Sequence, residues 1–217
     1  IVYFTANDAA TGVELWRTDG TAAGTWLGKD IYPGPNSGSP AGLTEFAGQL
    51  CFAAQDGVTG VELWTSDGTA EGTALLIDAV PGPGSLFRGV SIDRYVEYND
   101  ADLVGAGTFA VLAGVTSTAG EELWVTDGTA LGTGLLRDIY PGEYPSTPRQ
   151  FTRLGDRIVF SAEDEEHGLE LWVTDGSPAG TRRITDIAPA EESSYARAMG
   201  EAGGGMVLAA QPECCTG

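Results

Sequence analysis

Carboxylates recur at fixed places in this 217-residue sequence, and they are the first groups to weigh for chemistry. Glu14, Glu62, Glu122 and Glu170 form one series; Asp19, Asp67, Asp127 and Asp175 form a second. A hydrolase needs one converging constellation of acid, base and stabilising groups. Four dispersed copies of the same carboxylate fit a structural role better. His167 is the only histidine, in the run Glu163-Asp164-Glu165-Glu166-His167-Gly168. Without a second histidine there is no HExxH zinc pair, and no GxSxG elbow supplies a serine for it to activate. It reads as an exposed loop residue and a candidate partner contact. The acidic run beside it offers hard oxygen ligands suited to calcium but lacks the glycine-punctuated spacing of an EF-hand. Phosphate-cradling glycine motifs are absent. No catalytic residue and no resident cofactor are expected, and calcium is the one ion with any support.

Departures from the repetition are where function would be grafted. One is an insertion near residues 92–103 that sets Tyr95 and Tyr98 beside Asp93, Arg94 and Asp100. Tyrosines, an arginine and acids together suit protein recognition or a glycan site; the plainer reading is a long hairpin filling a gap. The acidic loop around His167 is a second, and a third is the adjacent pair Cys214-Cys215, open to a vicinal disulfide, to pairing elsewhere or to free thiols. Cys51, in the apolar run Leu50-Cys51-Phe52-Ala53, reads as a small buried hydrophobe.

The elements that position these groups come from an internal repeat. GVELWRTDGTAAGT (12–25) returns as GVELWTSDGTAEGT (60–73), GEELWVTDGTALGT (120–133) and GLELWVTDGSPAGT (168–181). The glutamates are 48, 60 and 48 residues apart, so one copy carries twelve extra residues. Eleven residues beyond each hairpin aspartate stands another, Asp30, Asp78, Asp138 or Asp186, followed in three copies by Pro-Gly. Each period offers an apolar strand, the Glu-Leu-Trp strand, a hairpin through Asp-Gly-Thr, a third strand, and a fourth suggested at 42–46 and 150–154. Four short strands in about 48 residues predict an all-β fold, a β-propeller of four-stranded blades. The period divides the chain into repeats at 1–49, 50–108, 109–157 and 158–205, with the first strand of a fifth at 206–217. The sequence therefore reads as a piece of a longer array. Trp16, Trp64, Trp124 and Trp172 are the expected packers between blades, each worth roughly 3–5 kcal/mol against alanine. Asp-Gly supplies the left-handed backbone of a tight turn, and the aspartate can accept the N–H groups that the turn leaves unpaired.

Charge narrows the partners. Asp and Glu total 31 against 11 Lys and Arg, a net charge of −20, with Lys29 the sole lysine. Such a surface repels phosphate backbones and anionic headgroups, so neither nucleic acid nor unassisted membrane binding is expected. No apolar run reaches the roughly 18–20 residues of a membrane span. The chain opens in a strand, Ile1-Val2-Tyr3-Phe4, so any export signal is expected upstream.

The strings ELWRTDGT, ELWTSDGT, ELWVTDGT and ELWVTDGS, each followed by Gly-Thr, resemble the ELWxxDGT repeat proteins of bacteria. The Asp-Ile-Tyr-Pro-Gly turn and openings such as VYFTAND match that family's continuation. The resemblance implies an exported or cell-surface protein but brings no defined activity. The hairpin aspartate also looks like the Asp-box of sialidase-type propellers, a structural loop remote from catalysis, although the spacing differs. The expectation is a non-enzymatic interaction or scaffold module binding a protein partner, or a larger assembly, through one face. The alternatives are a lectin-like, carbohydrate-binding propeller assisted by calcium and, with least support, a sialidase-like hydrolase.

Overall fold

The computed structural model describes residues 1–88, 102–187, 193–202 and 205–209. The candidate contacts Asp93, Arg94, Tyr95, Tyr98 and Asp100 lie outside these residues, as do Cys214 and Cys215. Every described strand pairing is antiparallel. Repeat 1 contributes β1 (Val2–Asp8), β2 (Gly12–Thr18) and β3 (Trp26–Lys29), which form a three-stranded sheet. Three four-stranded sheets follow. The first comprises β4 (Ala41–Phe46), β5 (Gln49–Gln55), β6 (Val61–Ser66) and β7 (Ala74–Ile77). The second comprises β8 (Leu103–Ala106), β9 (Phe109–Thr116), β10 (Gly120–Thr126) and β11 (Gly134–Arg137). The third comprises β12 (Arg149–Leu154), β13 (Arg157–Asp164), β14 (Gly168–Thr174) and β15 (Arg182–Arg183). A pair, β16 (Arg197–Ala202) and β17 (Gly205–Ala209), completes the described strands.

The sheets are phased one strand earlier than the sequence period, so each four-stranded sheet straddles one of the repeat boundaries at 49/50, 108/109 and 157/158. The strand assigned to the end of repeat 1 hydrogen-bonds to the opening strand of repeat 2, with Phe46 opposite Gln49 and Glu45 opposite Leu50. The cause is local. Ala47 and Gly48 both take positive φ, 51° and 78°, the geometry of a two-residue hairpin turn that folds β4 directly onto β5. Four-strandedness is thus reached in three sheets, each built from the last strand of one repeat and three strands of the next. Three of the four Glu-Leu-Trp strands also carry a bulge at the outer edge. Leu63 opposes Ile77 and Trp64 opposes Leu75, skipping Leu76, and the shift recurs at Leu15/Trp16 and Leu123/Trp124.

The described chain forms two compact units, Ile1–Leu103 with Gly128–Thr133, and Val104–Asp127 with Gly134–Gly217. Within the first, Leu15 and Ile31 of one sheet meet Leu50, Phe52, Ala54 and Trp64 of the next. Within the second, Val111, Leu123, Leu136 and Ile139 meet Ile158, Phe160, Ala162 and Trp172 in the same way. Trp64 and Trp172 therefore pack face to face against a preceding sheet, on a core whose central strands are buried on both sides.

The Asp-Gly-Thr hairpins add steric constraints. Asp67 Oδ1 accepts Thr69 N–H at 2.8 Å and the Thr69 hydroxyl at 2.7 Å; that hydroxyl in turn accepts Gly72 N–H at 2.9 Å. Asp19 with Thr21 and Asp175 with Ser177 repeat the pattern. A Cβ at Gly24, Gly72 or Gly180 would fall inside the hairpin carboxylate. Gly134, at the start of β11, has nothing within 4 Å of where a Cβ would stand. Gly72→Ala is therefore expected to destabilise by about 1–3 kcal/mol. Gly134→Ala is expected to be neutral or to stabilise by a few tenths to about 1 kcal/mol. Urea midpoints of the two variants check this, and equal losses would contradict it.

Candidate functional site

The repeated glutamates are the most buried carboxylates of the described chain, and their geometry removes them from chemistry with outside molecules. Glu14, Glu62, Glu122 and Glu170 are all fully buried. Each reaches from the Glu-Leu-Trp strand to the segment that leaves the third strand of its repeat and crosses to the next sheet. Glu14 accepts the backbone N–H groups of Ile31 at 3.0 Å, Tyr32 at 3.4 Å and Gly38 at 2.6 Å. Glu62 accepts those of Ala79 and Leu86, both at 3.0 Å. Glu122 accepts Ile139, Tyr140 and Ser146 N–H and the Ser146 hydroxyl. Glu170 takes Ile187 N–H at 3.1 Å and the Thr185 hydroxyl at 2.6 Å. The crossover is an irregular backbone whose N–H groups need acceptors; the carboxylate provides one, and Leu86 and Ser146 N–H also reach the carbonyls of Val61 and Glu121.

Burial pushes Glu14 and Glu122 above the ordinary carboxylate range and Glu62 to about 7; the backbone N–H bonds oppose that shift without cancelling it. The hairpin aspartates go the other way. Hydroxyl and N–H donors from Thr21, Thr69 and Ser177 hold Asp19, Asp67 and Asp175 below their usual value. Both carboxylate series are thus committed to backbone.

The sheets have two ends. At one lie the Asp-Gly-Thr hairpins and the tight turns such as Ala47-Gly48. Here two of the hairpin glycines, Gly68 and Gly176, approach an aromatic ring of the preceding sheet. A Cβ on Gly68 would collide with the Tyr3 hydroxyl, and one on Gly176 would stand 2.7 Å from the Phe109 ring. An open groove of about 530 Å³ follows this contact in the second unit, lined by Phe109, Asp156, Asp175 and Ser177 among others. Its counterpart in the first unit, about 280 Å³, is lined by Ile1, Tyr3, Gln49 and Asp67 among others. Basic side chains brace the same end: Lys29 donates to Ala70 O at 3.0 Å and Arg137 to Thr181 O at 2.6 Å.

At the other end lie the crossovers and the turns that enter the Glu-Leu-Trp strands. There Asp8, Asp56 and Asp164 each cap a turn, a third repeated aspartate that the sequence reading passed over. Asp56 Oδ1 accepts Val58 and Thr59 N–H, and Asp164 Oδ1 accepts Glu166 and His167 N–H. His167 takes the place of Thr59, its ring Nδ1 lying 2.8 Å from Asp164 Oδ1. Arg183 Nε is 3.7 Å from Asp164 Oδ2, and its Nη1 is 3.4 Å from Asp186 Oδ1. The single histidine therefore completes a capped turn. Tyr140 and Tyr144, on the crossover of repeat 3, form an aromatic pair with centroids 5.5 Å apart. Among the described residues, no group of three or more His, Cys, Asp or Glu is placed to hold a metal ion, so the acidic run 163–166 is not gathered into a calcium ligand set. No described helix is long and apolar enough to cross a membrane. Cys51 is buried, and its thiol is pushed up to about 11 by that burial, which makes it inert.

No family model and no curated protein matches the sequence. Among solved structures, TolB from Acinetobacter baumannii superposes with a TM-score of 0.50 at 11% identity, over 98% of this chain and 47% of that one. The chain thus spans about half the length of that protein. The likeness shows the fold, an all-β propeller built of antiparallel blades, and nothing of activity. The computationally designed Ika8 protein (TM-score 0.46, 13% identity, 97% and 52% coverage) and an α-L-arabinofuranosidase from Clostridium thermocellum (0.27, 11%, 78% and 59%) also match, but too loosely to carry an argument.

The raised glutamates make stability depend on pH. Glu62 titrates near 4.5 in the unfolded chain and near 7 when folded, so its contribution is complete below about pH 4.5 and is lost as the pH rises through about 7. The urea midpoint is expected to fall between about pH 5 and about pH 8, and Glu62→Gln is expected to flatten that fall. Identical slopes for the two proteins would contradict it.

Proposed function

We propose that this array is a non-catalytic interaction module, a propeller scaffold that engages a protein partner through loops at one end of its blades. The observation that carries the reading is the fate of the recurring carboxylates. The glutamates are spent on crossover backbone and the aspartates on hairpin backbone, so what repeats builds the scaffold and what varies lies on the loops. The ELWxxDGT resemblance supports placing the module on an exported or cell-surface bacterial protein, and the net charge of −20 turns its choice toward partners with basic surfaces.

A lectin-like function is the second reading. It is favoured by the grooves at the hairpin end, where an aromatic residue, Tyr3 or Phe109, stands with a hairpin aspartate in both units. Calorimetric melting with calcium and with chelator, followed by glycan-array binding, separates the two. The interaction reading expects no calcium-dependent rise in melting temperature, no glycan signal, and a saturable complex reconstituted from the purified chain and its purified partner. A calcium-dependent rise together with sugar binding would replace it with the lectin, and turnover of an aryl glycoside would replace both.

A further inference from the structure

We infer that the crossover end of the second compact unit, around Tyr140 and Tyr144, is the docking surface for a basic, arginine- or lysine-bearing segment of a protein partner. This rests on the interaction reading above and assigns it a place and a chemistry.

Two departures from the repeat converge there. At the junction of repeats 1 and 2, the crossover tyrosine Tyr32 lies against Gly57, so closely that a Cβ on Gly57 would enter its ring. One hundred and eight residues on, the same positions are Tyr140 and Glu165. A side chain now occupies the place of that glycine, and Tyr140 is paired with Tyr144 instead. Tyr144 stands where the other repeats have Asn36, Gly84 and Glu192, so the fold does not call for an aromatic there. It is 68% exposed, an uncommon state for a ring that could have been buried. Backbone ties the two departures together: Glu163 N–H donates to Ser146 O at 2.9 Å, fixing the acidic turn beside the crossover two residues beyond Tyr144.

Charge selects the occupant. Glu143, Glu163, Glu165 and Glu166 are exposed around the tyrosine pair. Among the described residues, the basic groups at this end include Arg183 and His167, both facing Asp164, Arg149, exposed at the start of β12, and Arg197, at the start of β16. An aromatic pair alone would serve a sugar or a cation equally, whereas the surrounding carboxylates favour only the cation. A second copy of the chain, itself at −20, is repelled.

Fluorescence anisotropy with the whole chain and a labelled peptide of alternating arginine and glycine tests this at about 50 and about 300 mM salt. Tyr144→Ala is expected to weaken binding roughly fivefold or more. Glu165→Gln with Glu166→Gln is expected to weaken it and to flatten its salt dependence. Glu71→Gln, on a hairpin of the first compact unit, is expected to leave it unchanged. The inference is overturned if Tyr144→Ala binds like the parent, if Glu71→Gln costs as much as the turn variant, or if a neutral hexasaccharide binds in a Tyr144-dependent way and the peptide does not. Should the reconstituted partner complex survive Tyr144→Ala intact, the interaction reading stands and this surface is not its seat.

Discussion

An irregular strand-to-sheet crossover cannot be buried unless its backbone N–H groups find acceptors, and in every repeat one glutamate meets that need. Its side chain leaves the Glu-Leu-Trp strand at the point where the chain must turn toward the next sheet, and gathers donors 17 and 24 positions later in three repeats and 15 and 17 later in the fourth. With those N–H groups satisfied, the crossover lies flat enough for Ile31 or Ile139 to join the apolar interface between sheets. Without an acceptor the segment would have to seek water, and the packing of Trp64 and Trp172 would open with it.

The same economy explains the hairpin. Asp-Gly-Thr closes a turn, fills the space of the later glycine with a carboxylate and, at Gly68 and Gly176, presents its first glycine to an aromatic ring of the preceding sheet. A motif that reads as local turn chemistry is thus also a contact between neighbouring sheets. The first glycine is required by the turn itself, whose φ there is 84–93°, and the second by the carboxylate that fills its side.

Much of this was legible in the sequence because periodicity is a strong signal. The strands, the packing of Trp64 and Trp172 against a preceding sheet and the backbone bonds of the hairpin aspartates follow from spacing and residue type. The phase of the sheets was harder to read, because a repeat can be cut anywhere along its length; the two-residue turn at Ala47-Gly48 was the available clue. The acceptor role of the glutamates was hidden because their donors are backbone groups 17 to 24 residues away, which leave no mark on composition. The pairing of Tyr140 with Tyr144 stands where another repeat sets Tyr32 against Gly57, a comparison across 108 residues that strand patterning does not prompt. The insertion near 92–103 lies outside the described residues, so its candidate contacts gain no position from the structure.

The one-strand offset between sequence period and sheet bears on how such arrays lengthen. A duplicated period brings three strands of its own sheet and one strand that belongs to its neighbour, so a new copy arrives already stitched to the copy that follows. Unequal exchange at any point within the period preserves this stitching provided whole periods are gained or lost. Such a scaffold can change its length by recombination without redesigning a single interface, while its turns and crossovers diverge copy by copy.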